Sequence, residues 1–158
     1  MANTQSMCTS FMGELMTATH NFGASPTRAG STADTFKGAL FLASATLNAS
    51  TTAYATTGEV TGTNYTAGGV TVTNATAPTA TNSSVTAGVA YWTPSASLSY
   101  SNVTLSTAFD TVLIYNSTQS NKAVSVHTFG SQTITAGTFT LTMPTNSTSA
   151  ALLRLATT

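Results

Sequence analysis

Between residues 109 and 143, FDTVLIYNSTQSNKAVSVHTFGSQTITAGTFTLTM, apolar and polar positions follow the rules of strands. Residues 112–115 form an unbroken apolar run, the pattern of a short strand buried on both faces. Val124, Val126 and Thr128 alternate with Ser125 and His127, and Phe139, Leu141 and Met143 alternate with Thr140 and Thr142. Such alternation marks half-buried strands. The spacing predicts three consecutive strands, connected over 116–122 and 130–137, where Asn, Ser and Gly favour turns.

Upstream, TFKGALFLA over 35–43 predicts another strand, with Phe36, Gly38, Leu40 and Leu42 facing one way. Residues 45–55 read as a short helix or turn, and Gly68-Gly69 as a tight turn into a strand at 70–73. Residues 89–92 and 98–105 form two further strands with Pro94 between them. Leu152, Leu153 and Leu155 close the chain in a strand with Arg154 turned away. The segment TNATAPTATNSSVT, 73–86, is of low complexity and reads as an exposed loop or an edge strand limited by Pro78.

Only the N-terminus departs from this alternation. Met7, Phe11 and Leu15, with Met12 and Met16, recur at spacings of three and four, the apolar stripe of an amphipathic helix. Thr9 or Ser10 is placed to cap it and Gly23 to end it. Packing on its own sheet is the simpler expectation for so short a helix, and docking on a partner the sharper one. GASPTRAGSTA, 23–33, lacks periodicity and reads as an extended arm carrying Arg28. Seven to nine short strands at regular spacing predict an all-β fold, an antiparallel β-sandwich or barrel of jelly-roll or Ig-like type. The helix and arm occupy 1–34 and a single β domain 35–158.

Composition sharpens this picture. The 158 residues suffice for one core, and 41% are apolar. Only 5% are charged, against about 25% in ordinary soluble proteins. Glu14, Asp34, Glu59 and Asp110 balance Arg28, Lys37, Lys122 and Arg154. Nearly a quarter of the chain is Thr, a β-branched residue favoured on pleated surfaces. Such a surface is either covered in an assembly or hydrated by its hydroxyls and amides. A basic patch is lacking, so nucleic acid is not an expected partner. No apolar run is long enough to span a bilayer, and the N-terminus does not read as a signal peptide. The expectation is a protein made inside a cell. Cys8, the single cysteine, precludes an internal disulfide, and the Asn-X-Thr/Ser triplets follow from composition.

The residues available for catalysis are few. His20 sits at the expected helix end, where the dipole favours a cation, and His127 alternates outward. Cys8, His20 and His127 match no zinc spacing, and no metal or cofactor is expected. A Ser–His–Asp set built on His127 and Asp110 is compositionally available but lacks a nucleophile-elbow motif, and Asp110 reads first as a turn cap. Tyr91 and Trp92 read as core anchors.

Four stretches together resemble a widespread set of small tailed-phage virion proteins. They are MANTQSMCTSFMGELM; DTFKGALFLASATLNASTTAYATTGEVTGTNYTAGG; and FDTVLIYNSTQSNKAVSVHTFG with TAGTFTLTMP. The resemblance runs from residue 1 to about 144 and is weak between 70 and 105. It implies a structural component of a phage particle and carries no catalytic residues. Some members are labelled capsid proteins and others tail proteins. The first expectation is a cement or decoration protein on the capsid exterior, made in the host cytoplasm. Its partners would be the major capsid protein and itself, as a homotrimer by analogy with other decoration proteins, with no membrane involved. The alternative is a tail or adsorption domain whose Tyr54, Tyr65, Tyr91 and Trp92 stack on host glycans. A hydrolase is a third. Under the first reading, contacts belong to the less regular parts: Met7, Phe11 and Leu15 of the helix, Arg28 of the arm and Pro78 of the loop.

Overall fold

The computed structural model describes residues 2–16, 18–23, 32–73, 77–81 and 88–156. In these residues the fold is all-β. Strands β1 (Ser6–Met7), β2 (Phe36–Leu42), β3 (Val70–Thr71), β6 (Leu98–Asn116) and β7 (Lys122–Leu141) form one antiparallel sheet, ordered β1-β7-β6-β2-β3. Strands β4 (Thr79–Thr81), β5 (Val89–Trp92) and β8 (Leu153–Ala156) form a second, ordered β4-β5-β8. One helix, α1 (Thr9–Met16), follows β1. The sandwich expectation is met; the barrel alternative is not, because neither strand order closes on itself.

The hairpin of β6 and β7 is the backbone of the molecule. The three strands expected over 109–143 are two, and 98–105 belongs to the first of them. Residues 130–137, read as a connection, lie inside β7. Their glycines are absorbed as irregularities of a long ladder: the register shifts between Tyr100 and Val103, between Val103 and Leu105, between Leu105 and Phe109, and between Phe109 and Thr111, where 129–131 of β7 bulge, and Ala136 takes φ 47°. The connection at 116–122 is as expected. Ser120 and Asn121 both have positive φ, and the Lys122 N–H bonds the Gln119 carbonyl at 3.1 Å, as in a type I′ hairpin turn.

β2 pairs with β6 from Phe36 opposite Asn116 to Leu42 opposite Phe109, and its interior is buried on both faces. Gly68 and Gly69 make the expected tight turn into β3, both at positive φ, and a Cβ on Gly69 would run into the Gly38 carbonyl. β4 is exposed and forms the edge of the smaller sheet just after Pro78, as the low-complexity segment suggested, although 74–76 and 82–87 lie outside the described residues.

The N-terminal segment is part of this body. β1 pairs with β7, and Cys8, Phe11 and Phe22 belong to the single core cluster. Neither Thr9 nor Ser10 caps α1. Backbone bonds tie the chain there instead, from Cys8 N–H to the Val124 carbonyl and from Thr9 N–H to the Ala49 carbonyl. The Ser10 hydroxyl has no partner among the described residues. α1 stops at Met16 and not at Gly23. Ala18 N–H bonds the Leu15 carbonyl, Thr19 N–H bonds the Glu14 carbonyl, and Ala18 sits at φ 52°, the paired bonds of a Schellman ending. An exposed alanine in that left-handed position is strained where glycine is not. Ala18→Gly is expected to raise the unfolding free energy by about 0.5–1 kcal/mol, read from denaturant midpoints.

Candidate functional site

Four of the five expected contact residues come together. Met7, Phe11 and Leu15 form one wall of an apolar groove of about 90 Å³, and Pro78, Tyr91 and Leu155 line the other. Phe22, Ala90, Trp92 and Leu153 complete the lining. Arg28 lies outside the described residues. Phe11 is only 2% exposed, so it shapes the groove from within rather than reaching a partner. Its ring meets Phe22 edge-on at 5.8 Å; Phe22 stacks on Phe36 at 4.3 Å and tilts against Trp92 at 4.8 Å. The helix therefore covers its own sheet, the simpler of the two expectations. What it leaves outward is Met12, 48% exposed, with Leu155 at 43% beside the groove.

The carboxylates show a second pattern. All four are engaged in internal hydrogen bonds. Glu59, 7% exposed, accepts from the hydroxyls of Tyr54 at 2.6 Å and Tyr65 at 2.8 Å and from the Gly68 N–H at 2.7 Å. Asp34 accepts from Asn116 Nδ2 at 2.7 Å, Asn21 N–H at 2.8 Å and Gln119 Nε2 at 3.2 Å. Asp110 lies inside β6, not in a turn, and accepts from Asn3 Nδ2 at 2.9 Å and the Thr111 hydroxyl at 2.6 Å. Glu14 takes Lys122 Nζ at 2.6 Å and His20 Nε2 at 2.7 Å. Burial pushes the Glu14 carboxyl up, but the bonds from Lys122 and His20 outweigh it and hold the group below its usual range.

His20 is not the helix-end cation the sequence suggested. Asn116 Oδ1 accepts the N–H groups of Thr118 and Gln119, so its amide nitrogen must face His20 Nδ1, 3.0 Å away. Nδ1 is then an acceptor, and Nε2–H is the donor to Glu14. A protonated ring would set an N–H against the Asn116 amide donor. Burial likewise lowers the His20 pKa, against the opposing pull of Glu14.

His127 faces Ser125, with Nε2 2.8 Å from the Ser125 hydroxyl. The two share a cleft with Gln5, Ser6, Met7 and the start of β8. This is the face expected to be outward; Ser125 is buried and the His127 ring is mostly covered, which lowers its pKa to about 4. Asp110 bonds Asn3 and Thr111 rather than His127, so the Ser–His–Asp set is not assembled. Among the described residues no three His, Cys, Asp or Glu side chains come together as a metal site. Burial, with Glu14 nearby, raises the Cys8 thiol to about 11.

Comparison with protein-family models, with curated proteins and with solved structures finds no match for this chain.

The rings weighed as a glycan platform are also used internally. Tyr54 stacks on Tyr115 at 4.5 Å, Tyr65 stacks on Tyr100 at 6.1 Å, and Trp92 is buried. Tyr91 and the buried Trp92 line the open groove, Tyr91 the more exposed of the two. Neither the Glu59 nor the Asp34 cluster was foreseen from the sequence. Their members are scattered along the chain, and only the rarity of carboxylates marked Glu59 and Asp34 at all.

Proposed function

We propose that this chain is a structural component of a bacteriophage particle, a non-catalytic cement protein that covers junctions between major capsid subunits on the shell exterior. Its partners are the major capsid protein and further copies of itself. The observation that supports this reading is the fate of the carboxylates. Each of the four is bonded internally, Glu59 and Asp34 almost wholly buried, and the exposed strands carry Thr, Ser and Ala. A surface so poor in charge gains little solubility from self-repulsion, yet it meets a crowded junction without desolvating ions. Shape and hydroxyl bonding then set the fit, and repetition over the shell multiplies modest contacts. The resemblance of the four quoted segments to phage virion proteins points the same way. The tail-adsorption alternative gains no support from the rings, three of which are used inside.

Electron microscopy of purified particles tests the proposal. The expected result is density for this chain in fixed stoichiometry with the shell subunit. Particles lacking it should release their genome at a lower temperature. A few copies confined to the tail, or none, would refute the capsid assignment.

A further inference from the structure

The cleft beside His127 carries an inference about what this chain binds. It lies where β1, the outermost strand of the large sheet, meets β8, the outermost strand of the small one, and β7 lines it as well. Its volume is about 310 Å³, at the lower end of the range for ligand sites. Gln5, Ser125, His127 and Arg154 supply most of its polar wall.

The donors in that wall exceed the acceptors that meet them. Ser125 is 1% exposed, and its hydroxyl lies 2.8 Å from His127 Nε2. The neutral ring has one N–H and the hydroxyl one O–H, and the bond between them uses only one of the two. If the O–H donates to Nε2, the ring proton sits on Nδ1. If Nε2–H donates, the O–H is left over. In either tautomer one donor of the pair has no partner among the described residues. Gln5 Oε1 accepts from the Thr128 hydroxyl at 3.4 Å, and no bond among the described residues engages the Gln5 NH2. Arg154 donates Nε–H to the Thr148 carbonyl at 2.6 Å, which holds the guanidinium and leaves both Nη groups open.

The charge there is also unbalanced. No carboxylate lines the cleft, and Arg154 has no acidic partner among the described residues. One cation with neutral donors around it matches a ligand with a single negative charge and two acceptor oxygens. That ligand group is a carboxylate, whose geometry the guanidinium fork complements. The neighbouring strand indicates what carries it. β8 pairs with β5 in unbroken register from Leu153 to Ala156, and no backbone among the described residues pairs with its other side. An extended peptide adds to such an edge through main-chain bonds. Met7, Val126 and Leu153 give the cleft an apolar side for the residue behind the carboxylate.

We infer that the cleft binds the C-terminal carboxylate of an extended peptide. Arg154, Gln5 and the Ser125–His127 pair hold the carboxylate, and the outer edge of β8 holds the backbone behind it. A sugar acid offers the carboxylate without that backbone. The inference does not rest on the capsid reading: binding is measured on the isolated protein and placement on the shell by microscopy, so either can fail alone.

Amide NMR shifts of the isolated protein, followed on titration with acetyl-Thr-Val-Thr-Val, with its C-terminal amide and with glucuronate, are the measurement. The expected result is saturable shifts confined to 5–7, 125–128 and 151–156 for the free acid, with the amide binding about tenfold more weakly. Arg154→Gln should weaken the acid about tenfold, leave the amide as it was and keep the melting transition in place, because the side chain is exposed. An amide that binds as tightly as the acid overturns the inference. So do shifts that lie elsewhere or never saturate, and an Arg154→Gln variant that binds as wild type. Glucuronate binding as tightly as the peptide acid would assign the cleft to a sugar acid and overturn the peptide.

Discussion

Glu59→Ala is expected to cost about 3–5 kcal/mol, a large part of the total for a domain stable by about 5–15 kcal/mol. The side chain holds three donors in one buried place: the hydroxyls of Tyr54 and Tyr65 and the Gly68 N–H. Truncation leaves all three without an acceptor, and an orphaned buried donor costs more than the net value of the bond it made. The damage spreads through the turn, because the Gly68 carbonyl accepts from Tyr115 and the Leu40 N–H donates to the Tyr65 oxygen. Burial and the neighbouring Glu59 raise the Tyr54 and Tyr65 pKa values, so both phenols stay protonated as donors at neutral pH. Glu59→Gln keeps the volume and most of the hydrogen bonding and removes the charge. Its amide oxygen can keep the Tyr65 and Gly68 donors, and its NH2 can donate to a Tyr54 hydroxyl turned to accept. That variant should lose only about 1–2 kcal/mol. Denaturant unfolding of the two variants measures the difference; equal losses would show that the cluster depends on the carboxylate charge and not on volume or neutral hydrogen bonding.

How much of this was visible in the sequence follows from the range of the interactions. The period of two around Val124 and the apolar run at 112–115 located the central hairpin, because burial is written locally in alternation. The same reasoning misplaced 130–137, since a glycine that ends a short strand and one absorbed in a bulge look alike until the opposite strand is known. The stripe of Met7, Phe11 and Leu15 located the helix and one wall of the groove. Pro78 was singled out for limiting a strand, and its place across the groove depends on how β4 pairs with β5. The polar clusters left no local trace. His20 and Asn116 are 96 residues apart, and Asn116 and Asp34 are 82 apart. No periodicity couples positions at that separation. His127 was read as outward because its neighbours alternate; the strand does alternate there, but β1 and β8 cover the face it turns to.

That covering makes the protein acid-sensitive. The His127 pKa falls from about 6.5 unfolded to about 4 folded, because burial disfavours the charged ring. Above the unfolded value the ring is neutral in both states and contributes no pH dependence. Below it the unfolded chain binds a proton that the folded chain refuses, so stability falls with pH and levels off near the folded value. At about 1.4 kcal/mol per pH unit, His127 removes about 3 kcal/mol between pH 6.5 and 4. His20, also lowered by burial, acts in the same direction from the same starting point. Glu14 extends the decline: its folded pKa is depressed, so its contribution is present above the unfolded value of 4.5 and is lost as pH falls through the folded one. Unfolding free energies measured from pH 7.5 to 4 should be flat above 6.5 and fall steeply below. His127→Gln retains a partner for the Ser125 hydroxyl and should remove the His127 share of the slope, about 1.4 kcal/mol per pH unit, while changing little at pH 7.5. A slope equal to wild type in that variant would place the acid response elsewhere, with the Glu14–His20–Asn116 cluster as its source.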